Sequence, residues 1–67
     1  MNIILNSQLT PLPSNIITLK DLMDWKKIPS DATAIAINGK IAKLHEADTI
    51  KLHQDDNLMI ITAAFGG

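Results

Sequence analysis

The fold is decided by one stretch, Ala34-Ile35-Ala36-Ile37-Asn38-Gly39-Lys40-Ile41. Its first half predicts a β-strand over Thr33 to Ile37, because β-branched residues alternate there with small ones. Asn38-Gly39 is the preferred two-residue hairpin turn, since both positions tolerate positive φ. The return strand is predicted over Lys40 to Leu44. The middle of the chain is therefore an antiparallel hairpin.

A helix is predicted immediately before this hairpin, over about residues 18 to 27. Thr18 can cap the helix, with Asp21 three residues further on as a variant of the capping box. Pro29 ends it, because proline disfavours helical geometry at the preceding residue. The apolar residues of the helix share one face: Leu19, Leu22 and Met23. Trp25, at the end of the helix, is expected to be a partly buried core contact.

Three further strands flank the helix and hairpin. Asn2 to Asn6 is a short apolar run bounded by turn formers, and Ser7-Gln8 is expected to turn the chain into a weaker strand near Leu9 to Leu12. Pro11 cannot donate a ladder hydrogen bond, which places this second strand at a sheet edge. The last strand is predicted over Leu58 to Ala63.

The order of these elements predicts an α+β fold in which one main helix lies across one face of a mixed, four- to five-stranded sheet. The ubiquitin-like β-grasp has this order. With 67 residues the chain has room for one domain. We expect that domain to cover residues 1–63, followed by a flexible C-terminal Gly-Gly tail over residues 64–67.

The composition excludes several classes of function. There is no Cys, so disulfides and a cysteine nucleophile are ruled out, and all six basic residues are Lys. Arg provides most bidentate contacts to bases and phosphates, so its absence argues against nucleic-acid binding. No apolar run approaches the ~20 residues that span a bilayer, and the N-terminus lacks the basic region of a signal peptide. We therefore expect a cytoplasmic protein that does not bind a membrane.

The C-terminal residues carry the first functional signal, because two of the three glycines are Gly66 and Gly67. A terminal carboxylate, with a pKa of about 3.5, is ionised at neutral pH and can attack a phosphorus centre. An enzyme that activates it must draw the chain end into a narrow slot beside ATP, and residues without Cβ fit such a slot. A frayed end without a role is the alternative. On the tail alone, both interpretations stay open.

The predicted last strand adds a second signal, because it begins with four consecutive apolar residues. Strand side chains alternate between faces, and one helix covers only one face of a sheet. Either Leu58 and Ile60 or Met59 and Ile61 should therefore face solvent and form a partner site. The alternatives are that a loop covers this second face, or that these residues lie on the surface without a role. Phe65, an aromatic residue in the tail, is a plausible anchor in a partner pocket.

The remaining polar residues give little support for catalysis. His45 and His53 have no accompanying cluster of ligands, so no metal site is predicted. Asp55 and Asp56 are adjacent, and a surface turn explains them better than an acid/base pair. The sequence assembles no Ser/His/Asp set, and we therefore predict no catalytic residue and no enzyme.

Two segments resemble the small sulfur carrier of thiamine biosynthesis, the ThiS family. Residues 34 to 41 are similar to that family's strand, Asn, hairpin and strand motif, and residues 55 to 61 to its Gly-Asp turn and following apolar strand. The chain then ends in the family's Gly66-Gly67. The resemblance implies a β-grasp fold whose terminal glycine, here Gly67, is adenylated by a ThiF-like adenylyltransferase that uses ATP and Mg²⁺.

The resemblance also implies the later steps of sulfur transfer. The adenylate becomes a thiocarboxylate with sulfur from a cysteine desulfurase or another donor, and thiazole synthase takes that sulfur into thiazole phosphate. The chain would then be a protein co-substrate without a bound cofactor. Two further groups of residues are expected to serve the partners. Tail recognition is assigned to Phe65, Ala64 and Gly66, and the partner interface to Met59, Ile61 and Ala63.

The chain departs from the family pattern at a few positions. Asp55 stands where the family has Gly, Lys43-Leu44 replaces Pro-Arg, and Ala47 lies near the place of a frequent Trp. These departures bear on loop contacts and not on the tail chemistry. The alternatives are a β-grasp sulfur carrier of another pathway, such as the small subunit of molybdopterin synthase or a carrier for tRNA thiolation, and a non-catalytic β-grasp interaction module.

Overall fold

The computed structural model describes residues 1–31 and 33–62. Five strands form one mixed sheet in the order β2-β1-β5-β3-β4, which confirms the predicted α+β fold. The strands are β1 Asn2–Leu5, β2 Gln8–Pro11, β3 Thr33–Ile37, β4 Lys40–Ile41 and β5 Asn57–Thr62. The helix α1 spans Leu19–Lys26, and a 3₁₀ helix spans Leu44–Thr49.

The last strand, β5, lies at the centre of the sheet. It pairs in parallel with β1 on one side and antiparallel with β3 on the other. The pairing with β3 runs from Thr33 opposite Thr62 to Ile37 opposite Leu58. The edges are formed by β2 and β4, as Pro11 predicts for β2.

The start of α1 is fixed by the predicted capping box. The backbone N–H of Asp21 donates to Thr18 Oγ1 at 3.1 Å, and the N–H of Thr18 donates to Asp21 Oδ2 at 3.0 Å. The N–H of Ile17 donates to the same carboxylate oxygen at 3.0 Å. These bonds satisfy N–H groups that a helix start leaves without partners, and they favour the ionised carboxylate. The backbone N–H donors of Thr18 and Ile17 accordingly lower the pKa of Asp21.

The hydrophobic core lies between α1 and the sheet. Five of its side chains are fully buried: Ile3, Leu19, Leu22, Ile35 and Leu58. They come from β1, α1, β3 and β5, so the three inner strands all contribute to one aliphatic layer under the helix. Ala47 of the 3₁₀ helix and Leu52 also belong to this core cluster.

The structure differs from the predicted elements at two turns and at one aromatic residue. The first hairpin turns at Asn6–Ser7, one residue before the expected position, and both residues have positive φ. The return strand β4 ends at Ile41, because the chain enters the 3₁₀ helix at Leu44 where the prediction extended the strand. Trp25, expected to be partly buried, is exposed, with the Lys26 Nζ 4.7 Å from its ring centre.

The carboxylate of Asp21 makes the stability of α1 depend on pH. Its pKa is lowered from the ordinary value of 3.8 in the folded protein, so its contribution is present above that value and is lost as pH falls through the folded pKa. We expect Asp21→Asn to destabilise the protein near neutral pH and to differ less from the parent as the pH falls below the ordinary pKa of 3.8. Urea denaturation across this range measures the difference, and a gap that stays constant would contradict the capping role.

Candidate functional site

The residues of the tail lie outside the described part of the chain. This applies to Gly67, the predicted site of covalent modification, and to the other predicted tail and interface positions beyond β5: Ala63, Ala64, Phe65 and Gly66. Their roles, and the division into a domain over residues 1–63 and a tail over residues 64–67, stay predictions. The structure does describe β5, the strand that leads to them.

The side chains of β5 alternate between the core and the opposite face of the sheet, which α1 does not cover. Leu58 is fully buried, and Ile60 is half-buried and packs against the core. Met59 is 55% exposed and Ile61 is 59% exposed. The assignment of Met59 and Ile61 to a partner interface requires this register, in which both side chains face away from the core. The interface role of these two residues remains a separate proposal.

Neighbouring strands extend the exposed apolar surface sideways. Ala36 of β3 lies opposite Met59 on one side and opposite Ile41 of β4 on the other, so the three residues form a row across the sheet. Ile41 is 73% exposed. A second row pairs Ala34 with Ile61. The two alanines leave the longer side chains on either side uncovered.

The same surface continues over β1 and β2. Ile4 of β1 lies opposite Asn57 of β5 and opposite Leu9 of β2, and Leu9 is 66% exposed. Sequence reasoning missed Leu9 and Ile41. The signal that could have found Ile41 is the Asn38-Gly39 turn, since a two-residue hairpin loop fixes which residues pair across it.

No charge interrupts this face among the described strand residues. Lys40 is the one charged residue within the five strands, and it pairs with Ile37, whose side chain packs against the core on the helix side. We call the uncharged surface the open face. Its members are Ile4, Leu9, Ala34, Ala36, Ile41, Asn57, Met59 and Ile61.

A hydrogen-bonded turn fixes the start of β5. Asn38 Nδ2 donates to Asp56 Oδ1 at 3.0 Å, and Asn38 Oδ1 accepts from the N–H of Asn57 at 2.9 Å. The N–H of His53 donates to Asp56 Oδ2 at 2.8 Å. Asp56 is buried, so its carboxylate holds this turn together and is not half of an exposed acid pair. Asp55 adopts φ 68°, the left-handed conformation that its place in the family motif requires.

The two histidines are exposed and, among the described residues, lie apart from any cluster of metal ligands. The side chains of His45 and His53 are 78% and 76% exposed. Within residues 1–31 and 33–62, no group of three or more His, Cys, Asp or Glu side chains could hold an ion. In that same part of the chain no helix is long and apolar enough to cross a membrane.

An open cleft lies on the helix side of the sheet, between α1 and the 3₁₀ helix. Its volume is about 360 Å³, and its lining includes Met23, Ile28, Leu44 and His45. Of the predicted site residues that the structure describes, neither Met59 nor Ile61 lines it. The candidate functional surface is therefore the open face, with β5 leading from it to the tail.

A five-stranded mixed sheet with β5 central, crossed by one helix, defines a β-grasp domain. The chain belongs to the ThiS family, whose model matches residues 3–67.

Two solved structures from Geobacter metallireducens share this fold. One is the crystal structure of the thiamine biosynthesis protein (ThiS), with a TM-score of 0.81, 16% sequence identity and 100% coverage of both chains. The other is the solution NMR structure of a thiamine biosynthesis protein, with a TM-score of 0.80 and 16% identity, covering 100% of this chain and 88% of that one. A comparison with curated protein sequences gives no match.

The buried turn predicts a specific loss of stability. Asp56→Ala leaves Asn38 Nδ2 and the N–H of His53 without their acceptor, which should lower the free energy of unfolding by about 2 kcal/mol or more. Asp55→Gly is the matched control, since glycine accepts the left-handed conformation at the adjacent position. Its effect should stay within about 1 kcal/mol. Urea denaturation measures the free energy of unfolding of both variants. If Asp56→Ala were as stable as Asp55→Gly, Asp56 would not hold the turn.

Proposed function

We propose that this chain carries sulfur on the carboxyl group of Gly67 and donates it to thiazole phosphate formation in thiamine biosynthesis. The observation that carries the proposal is the extent of the family match, which runs to the last residue and includes both terminal glycines. The β-grasp fold supports it, because β5 leads directly into the tail. We expect the reaction to take place in the cytoplasm.

The chemistry begins at the terminal carboxylate. A carboxylate oxygen of Gly67 attacks the α-phosphorus of ATP in the active site of a ThiF-like adenylyltransferase, and pyrophosphate leaves. ATP and Mg²⁺ belong to that enzyme, and the carrier contributes the nucleophile. A persulfide, supplied by a cysteine desulfurase or another donor, then attacks the carbonyl carbon and displaces AMP, which gives an acyl disulfide. A thiol attacks the donor-side sulfur of that disulfide, forms a new disulfide with the donor and releases the terminal thiocarboxylate. Thiazole synthase accepts this sulfur.

The open face is the proposed docking surface for the adenylyltransferase. Met59 and Ile61 lie on β5, within about eight residues of Gly67, so a partner that covers them has the chain end close by. Burying an uncharged face costs little desolvation, whereas buried charges must be paired. Apolar anchors of this kind supply most of the binding energy in many interfaces. Ala63, outside the described residues, would continue this surface.

The tail residues divide the work between binding and reaction. The absence of a Cβ at Gly67 and Gly66 lets the chain enter a narrow slot and adopt the φ that the slot requires. Phe65 and Ala64 would contact the slot entrance, where an aromatic side chain adds binding energy. The carrier needs no catalytic group of its own, because the adenylyltransferase and thiazole synthase supply the chemistry.

Intact mass spectrometry tests the proposal directly. The parent is incubated with ATP, Mg²⁺, a ThiF-like adenylyltransferase and a sulfur donor, and replacement of one carboxyl oxygen by sulfur should add about 16 Da. A variant that lacks Gly66 and Gly67 is the control and should gain no mass. A parent that forms neither an adenylate nor the heavier product would overturn the proposed function and favour a β-grasp interaction module.

Docking through the open face predicts the effect of a charge at Ile61. Ile61→Asp should leave the fold intact and weaken binding to the adenylyltransferase by about 2 kcal/mol or more, because the carboxylate would be buried without a partner. Ile17→Asp is the matched control, since Ile17 is 52% exposed but lies outside the open face. Isothermal titration calorimetry measures both. Equal losses of affinity would show that binding does not depend on the open face.

The tail variants separate reaction from binding. Gly67→Ala places a methyl group beside the reacting carbonyl carbon, and a misplacement near 1 Å can cost on the order of 100-fold in rate. Gly66→Val should also lower the rate at saturating carrier, through slot width. Phe65→Ala should chiefly raise the carrier concentration for half-maximal rate. Pyrophosphate release reports all three, and parent-like behaviour throughout would mean that the tail is not the reactive end.

A further inference from the structure

The central strand β5 continues past the end of its parallel neighbour. The pairing of β1 with β5 consists of Ile4 opposite Asn57 and Leu5 opposite Leu58. After Leu5 the chain turns away through Asn6 and Ser7 into β2. From residue 59 onward β5 therefore has β3 on one side and no strand on the other, within the described residues.

Asn6, the first residue after β1, makes two further hydrogen bonds to β5 where β1 no longer pairs with it. Its backbone N–H donates to the carbonyl oxygen of Leu58 at 2.9 Å. Its side-chain Oδ1 accepts from the N–H of Ile60 at 2.7 Å. The two bonds join segments more than 50 residues apart in the chain and lie on either side of Met59.

The backbone conformation of Asn6 makes this contact possible. Asn6 has φ 48° and Ser7 has φ 68°, so both lie in the left-handed region. Among residues with a side chain, Asn and Asp adopt this region most readily. Glycine would fit the turn equally well but would offer no acceptor to Ile60. Asn6 thus combines the turn conformation with an oxygen directed at β5.

We propose that Asn6 is a positioning residue for partner docking. Its hydrogen bonds hold the end of β5 at the edge where β1 no longer pairs with it. They thereby keep Met59 and Ile61 on the open face. It also fixes the origin from which the tail extends. This inference rests on the proposed function, because the partner that binds the open face of β5 is the adenylyltransferase. Asn6 acts through the backbone of β5 and takes no part in the chemistry.

Amide hydrogen exchange tests whether the Asn6 side chain protects the N–H of Ile60. Alternate amides of a strand face opposite neighbours, so the N–H of Ile61 points to β3 and serves as an internal reference for Ile60. In Asn6→Gly, which keeps the turn conformation, exchange at Ile60 relative to Ile61 should accelerate about tenfold. Ser7→Gly, the matched control at the second left-handed position, should leave this ratio unchanged. An unchanged ratio in Asn6→Gly would overturn the proposal.

Adenylation kinetics separate positioning from a purely structural role. In Asn6→Gly the carrier concentration for half-maximal pyrophosphate release should rise about three- to tenfold while the rate at saturation stays at the parent value. Asn6→Asp retains an acceptor oxygen and should restore parent behaviour, and Ser7→Gly should match the parent.

Two adverse outcomes are distinguishable. A parent that the adenylyltransferase does not modify would overturn the proposed function. A reactive parent with an unchanged half-saturating concentration in Asn6→Gly would overturn the positioning role alone.

Discussion

The structure depends on the hydrogen bonds between Asn38 and the turn before β5. Asn38 uses both ends of its amide, since Nδ2 donates to Asp56 and Oδ1 accepts from the backbone of Asn57. Its own N–H donates to the carbonyl oxygen of Asn57 at 2.8 Å. The β3–β4 hairpin and the start of β5 are thereby locked in one register. A slip of one residue would exchange the two faces of β5, burying Met59 and exposing Leu58.

The two motifs behind the family resemblance are therefore in contact with each other. Asn38 belongs to the hairpin motif and Asp56 to the turn motif, 18 residues apart in the chain. At the other end of the same strand, Asn6 holds Ile60. Because side-chain hydrogen bonds hold β5 near its start and again near its end, Met59 and Ile61 have a defined orientation.

Local signals in the sequence predicted most of the fold. Asn38-Gly39 fixed the hairpin, Thr18 with Asp21 fixed the start of α1, and the apolar run of β5 indicated one exposed pair. The register of that pair followed from the family resemblance. These features depend on residues close in sequence or on a known pattern.

The features that sequence reasoning missed depend on distant contacts. The burial of Asp56, the reach of Asn6 to Ile60 and the extension of the open face to Leu9 and Ile41 all require knowledge of which strands are neighbours. The short length of β4 also has a non-local cause. Ala42 still donates to Ile35, but the chain then enters the 3₁₀ helix, whose Leu44 and Ala47 pack against the core.

The open face raises the question of how a small protein tolerates so much exposed apolar surface. The sheet edges offer an answer, because aggregation of β proteins proceeds mainly through backbone pairing at exposed edges. Here β2 carries Pro11, and β4 is two residues long and includes Lys40. Both edges therefore resist the addition of another strand. The apolar surface in the middle of the sheet stays accessible to side chains of another molecule, while the addition of a further strand at either edge is disfavoured.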